Sequence, residues 1–156
     1  MHLTKPTIVK KSAFKIIGMK YFGKNQKDEI KALWNQFYNR KEEIQNKIEG
    51  SKYYGICQLF SGSSKFSYIA SVIVKNTECI PKEMVSKIIP CSQYAVFSHK
   101  GSLNSLGQTY GYIYGVWLPN SGYEHSTLPD IEEYIGEYYN CENHEECIIN
   151  IYIPIR

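Results

Sequence analysis

Residues 101–134, GSLNSLGQTYGYIYGVWLPNSGYEHSTLPDIEEY, read as a helix, a polar turn and an acidic strand in immediate succession. Leu103, Leu106, Tyr110, Ile113, Tyr114 and Trp117 recur at helical spacing and form one apolar and aromatic face. Ser102 or Ser105 is placed to cap the start of this helix, and Pro119 to stop it. After the turn, LPDIEEYIGEYY reads as a strand that carries Glu132 and Glu133 between apolar and aromatic neighbours. Alternation along a strand puts Glu132 and Tyr134 on one face, Ile131 and Glu133 on the other. An aromatic helix face beside a strand-borne carboxylate is what a pocket for a cationic or electrophilic small molecule requires.

Upstream, Thr7 to Phe22 reads as one long strand in which Phe14, Ile16 and Gly18 share a parity, Gly18 marking a bulge or a close backbone approach. Residues 28–50 predict a helix with Asp28 and Glu29 at its positive end and a stripe of Ile30, Leu33, Trp34, Phe37, Ile44 and Ile48. Gly50 closes it. Tyr53 to Phe60 and Phe66 to Val74 form a hairpin about the turn SGSSK, with Phe66, Tyr68, Ala70, Val72 and Val74 on one face. The segment NTECIPKEMVSKIIP reads as an irregular connection. The order then begins again: strand Gln93 to His99, the second helix, strand Pro129 to Tyr138, and strand Cys147 to Pro154. Strand–helix–strand–strand therefore occurs twice, in halves of about 1–80 and 81–156. The expectation is a single α+β domain of two βαββ units related by a pseudo-twofold. Its antiparallel sheet carries both main helices on one face, with a ligand pocket between them.

Composition agrees with a globular chain: 43% hydrophobic and 21% charged residues, with 14 tyrosines that suit cores and pocket walls alike. The net charge of +3 is spread out, without the concentrated basic stripe of a nucleic-acid binder. No run has the length of a membrane span, and the first residues lack the apolar core of a signal peptide, so a cytoplasmic location is expected. The five cysteines include no CxxC pair, which fits reduced thiols. Cys141, His144 and Cys147 recur at intervals of three, but one short loop without a fourth ligand makes a poor zinc site. Neither a metal nor a cofactor is expected. His99 and His125 lie at strand and turn ends, where a surface position is the default.

Taken in order, FKIIG, LWNQF, YYGI, FSYIASV, IIPCSQYAVFSHKG, TYGYIYGVWLPNSGY, PDIEEY and IYIPI resemble the GyrI-like family of small-molecule binding domains. That module is also found attached to AraC-type and MerR-type transcription regulators. The resemblance implies a pocket near the pseudo-twofold axis and a buried glutamate in a Phe-Glu-x-Tyr type motif. Ile131, Glu132, Glu133 and Tyr134 match that motif, with Ile131 replacing the usual aromatic. It also implies aromatic pocket positions at Tyr68, Tyr110, Trp117, Trp34, Phe37 and Tyr152.

On residue type alone, Glu132 reads equally as a solvated strand-edge acid. Trp34 reads also as core packing, and Glu133 as solvated. Few residues precede the first strand, so a stand-alone form without direct DNA contact is expected. Two further roles follow from the resemblance. One is hydrolysis of electrophilic strained-ring compounds, with Glu132 orienting or deprotonating water. The other is a protein-interaction role with a partner such as DNA gyrase.

Overall fold

In a computed structural model, residues 5–48, 52–135 and 148–156 are described. The Cys141–His144–Cys147 cluster lies outside them. The expected first strand is two, β1 (Thr7–Lys11) and β2 (Phe14–Gly23), which separate at Ser12 and Ala13 because they join different neighbours. The first helix, α1 (Glu29–Arg40), is shorter than its apolar stripe suggested. A single tight turn follows at Lys41–Glu43, after which Ile44 is extended yet still buried, and Ile48 is exposed. Strands β3 (Lys52–Leu59) and β4 (Phe66–Val74) form the expected hairpin. The segment taken as irregular contains β5 (Val85–Ile89), followed by β6 (Ser92–Lys100).

The second helix is composite. A short tight turn at Leu103–Ser105 leads into α2 (Leu106–Tyr112), a wide π turn at Ile113–Trp117, and α3 (Leu118–Ser121). Pro119 therefore does not stop it. The π turn shifts the bonding register, Leu118 N–H donating to the Ile113 carbonyl, and the proline sits in the first turn of α3, where its missing donor is tolerated. Gly122, at φ 81°, ends the run in the left-handed region. Strands β7 (Asp130–Ile135) and β8 (Ile148–Ile155) complete the fold.

All eight strands form one antiparallel sheet in the order β1-β6-β8-β7-β3-β4-β2-β5. The order is symmetric about the β3–β7 contact: β2, β4 and β3 of one half mirror β6, β8 and β7 of the other. Each half's short leading strand pairs with the other half, β1 with β6 and β5 with β2, so the halves are interlocked. Gly18 sits opposite Ser71, where an added Cβ would lie 2.0 Å from the Ala70 carbonyl oxygen.

One face carries the helices. Trp34, Phe37, Tyr68, Val72, Phe97, Ile113, Ile151 and their neighbours form its core. The other face is also buried: Ile16, Tyr54, Ile56, Ile89, Tyr94 and Ile131 make a second cluster, to which Val9 from one edge of the sheet and Val85 from the other both contribute. Strands at both edges thus pack on one buried cluster, so the sheet is curled about that face. This curl explains Glu133, expected to be solvated but buried, where its carboxylate accepts hydrogen bonds from Tyr54 OH at 3.0 Å and Asn150 Nδ2 at 3.0 Å.

Candidate functional site

The site is built where the two halves meet. Across the central β3–β7 pair, Glu132 lies opposite Gly55 and Asp130 opposite Cys57. Two carboxylates thus face two small residues: the room above Gly55 takes the Tyr68 hydroxyl, and open space remains beside Cys57 on the helical face. That space is a cavity of about 450 Å³ between α1 and α2, with Ile30, Leu106, Tyr110 and Tyr114 on its helical side and Tyr68 and Glu132 on its floor.

Glu132 is 6% exposed and held by three phenols. Tyr68 and Tyr134 each donate to Oε1 at 2.7 Å, and Tyr110 donates to Oε2 at 2.7 Å. Behind Tyr68, the Trp34 indole N–H donates to its hydroxyl at 3.1 Å, so the indole fixes the phenol that fixes the carboxylate. Trp34 is itself fully buried and edge-on to Tyr134 and Tyr53. Burial, with the charges of Glu132 and Asp130 next, pushes the Tyr110 phenol well above its ordinary value and keeps it a donor.

A second buried carboxylate stands beside the first. Asp130, 3% exposed, accepts from Tyr114 OH and from His125 Nε2, the latter at 2.8 Å. His125 Nδ1 accepts from the Thr127 amide at 3.0 Å, which assigns the ring proton to Nε2 and makes this geometry that of the neutral tautomer. The Cys57 thiol, between the acids, is pushed up by burial and then by the charges of Glu132 and Asp130. Among the described residues, no Lys or Arg side chain pairs with Glu132 or Asp130.

Of the residues named from sequence, Glu132, Tyr68 and Tyr110 line this cavity. Trp34 stands one layer behind it, and Phe37 is core, packed edge-on against Trp34 and Tyr53. Trp117 is turned away: the π turn carries it out of line with Tyr110, and its ring meets Phe97 at 5.1 Å and stacks on Tyr123. Tyr152 is on the wrong face. In register with Ile131, it packs against Tyr94 in the far cluster, because on β8 the isoleucines, and not the tyrosine, point toward the helices. His99, expected at the surface, is 2% exposed. Its Nδ1 meets Thr109 Oγ1 at 2.7 Å and its Nε2 the Ser102 carbonyl at 3.0 Å, tying β6 to the start of the second helix.

Sequence reasoning missed Asp130, Cys57 and Gly55, and it put Tyr114 on the aromatic helix face without singling it out as a pocket residue. The alternation in DIEEY was a usable signal for Asp130, which has the parity of Glu132. Nothing local distinguishes Gly55, whose role depends on which residue stands across from it.

The GyrI-like small molecule binding domain model matches residues 4–156. The chain belongs to the GyrI-like family. A relative, the transcriptional regulator BrlR of Pseudomonas aeruginosa, is 33% identical over 148 residues, covering 95% of this chain and 54% of BrlR. The chain thus spans about half the length of that curated relative. Among solved structures, SAV2435 bound to tetraphenylphosphonium superposes with a TM-score of 0.77 at 20% identity, covering 100% of this chain and 94% of that one. A hydrolase encoded by lin2189 from Listeria innocua superposes with a TM-score of 0.61 at 9% identity, covering 97% and 92%. At these identities the two structures establish a common fold. Within the described residues, no helix is long and apolar enough to cross a membrane.

Proposed function

We propose that this GyrI-like domain binds amphipathic small molecules with a cationic or electrophilic centre, and that Glu132 meets that centre. The observation that carries the reading is the Glu132 carboxylate itself. It faces an aromatic cavity, is oriented by three phenols, and has no Lys or Arg partner among the described residues. Phenols orient a carboxylate without neutralising it, and a buried charge without a counterion is costly. A ligand cation supplies the counterion and gains attraction to the ring faces around it. Tetraphenylphosphonium, the compound bound to SAV2435, is a suitable first probe.

The test is thermal unfolding with tetraphenylphosphonium. At one hundred times its dissociation constant, a ligand specific to the native state stabilises by about 2.7 kcal/mol, worth roughly 5–10 °C for a chain of this size. Glu132→Gln, still folded by near-UV circular dichroism, is expected to lose most of that shift. An equal shift in both proteins would remove Glu132 from the reading.

Hydrolysis is the second reading, favoured by the position of Glu132 Oε2. It accepts from Tyr110 on the cavity side, where it can take a proton from water beside an electrophile. Turnover of a strained-ring electrophile, lost in Glu132→Gln, would establish it. Capture of a topoisomerase unaffected by that substitution would instead place function on the outer surface.

A further inference from the structure

Glu132 uses only one end of the available space. On the other side of Asp130 lies a second cavity of about 360 Å³, reached by Phe60, Ser61, His125 and Thr127, and it shares Cys57, Leu59, Tyr114 and Asp130 with the first. Asp130 is therefore the charged part of the wall common to both. We propose that Asp130 is a second cation-recognising group, and that the site selects rigid aromatic dications over monocations of the same shape. The proposal rests on the reading of the Glu132 cavity as a cation site.

Three features carry it. First, Asp130 and Glu132 stand two residues apart on one face of β7, which separates their backbone positions by roughly 6.6–6.8 Å. Flat bicyclic aromatic rings with charges at their two ends match that separation. Second, Cys57, across from Asp130, lines both cavities, and Gly55, across from Glu132, admits the Tyr68 hydroxyl that holds that acid, so no β3 side chain covers either carboxylate. Third, the partners of Asp130 leave its charge in place. Tyr114 is a neutral donor, and His125 donates from Nε2 while its Nδ1 is occupied by the Thr127 amide. The His125 ring, lying 6.0 Å from that of Tyr114 and tilted by 32°, continues the aromatic wall toward the second cavity. A monocation satisfies one acid and leaves the other without a counterion. A dication satisfies both.

The experiment compares two flat bicyclic probes by isothermal titration calorimetry on the full chain: 1,1′-dimethyl-4,4′-bipyridinium, with two permanent charges, and 1-methyl-4-phenylpyridinium, with one. The dication is expected to bind about tenfold tighter, the measure of one added charge-assisted contact. Asp130→Asn is expected to bring the ratio of the two constants to about one, and Glu132→Gln to weaken both probes. Equal binding by the wild type, or a dication preference that survives Asp130→Asn, would overturn the proposal and leave the Glu132 reading standing. Binding of neither probe, nor of tetraphenylphosphonium, would overturn both. Because the comparison within the wild type is decisive, the proposal stays falsifiable even if Asp130→Asn fails to fold.

Discussion

Replacing Gly55 by alanine tests the geometry of the site through the sign of its effect. In an unexceptional strand, glycine to alanine stabilises by about 0.5–1 kcal/mol, since alanine loses less backbone freedom on folding. Gly55 is not unexceptional. A Cβ built there would lie 2.0 Å from the Tyr68 hydroxyl oxygen, 2.5 Å from Tyr68 Cζ and 3.0 Å from Glu132 Oε1. Tyr68 cannot retreat without breaking its bond to Glu132, and its hydroxyl also accepts from the Trp34 indole. Overpacking costs about 1–3 kcal/mol and loss of a hydrogen bond to a charged group about 1.5–3 kcal/mol. Against the small backbone gain, Gly55→Ala is expected to destabilise by about 2–4 kcal/mol. That lowers the melting temperature by roughly 4–15 °C. Urea unfolding of Gly55→Ala, Tyr68→Leu and the double variant supplies the check. The leucine removes the ring in the way, so the alanine should cost at least ~1 kcal/mol less in that background. Gly55→Ala as stable as the wild type, or additive with Tyr68→Leu, would refute the close packing of Gly55, Tyr68 and Glu132.

Alkaline pH should expose the buried phenols. Burial, then neighbouring charge, raises Tyr110 and Tyr114 above the ordinary tyrosine value, and burial first, with Cys91 and Asp130 next, pushes Tyr94 up to about 12. A raised native value stabilises fully below the unfolded value near 10, and the contribution is lost as pH rises through the native value. Stability should hold to about pH 10 and fall above it, with tyrosinate absorbance of these residues appearing only as near-UV dichroism is lost. Titration of all 14 tyrosines near pH 10 with the fold intact would contradict this. The Cys57 thiol, driven up by burial and two flanking acids, should resist iodoacetamide at pH 8, while exposed Cys79 and Cys91 are alkylated. Peptide mapping reads the three sites, and labelling of Cys57 as fast as Cys79 would overturn its buried position.

The pattern of hydrophobic spacing was enough for the two-helix, antiparallel architecture and for most strand positions, because period and turn residues are local properties. It ran two strands together at residues 7–22 and missed β5. There, the separation of β1 from β2 is imposed by partners far off in sequence and in different halves, Val96 for Thr7 and Val74 for Lys15. Trp117 was misplaced by one wide turn inside an otherwise regular helix. In IINIYIPI one parity is all isoleucine while that of Tyr152 also carries Asn150 and Pro154, so the alternation itself was a usable signal that Tyr152 faces away from the helices.

By itself the sequence determined the βαββ repeat, the aromatic helix face and the placing of Glu132 and Tyr134 on one side of their strand, since each follows from spacing along a single element. Tertiary structure alone decided that Glu132 gathers hydroxyls from Tyr68 and Tyr110, that Gly55 admits the Tyr68 ring beside that acid, and that the curled sheet buries Glu133. The reason is register. Which residue stands across from which is set by pairing between distant strands, and a one-residue slip would exchange the two faces.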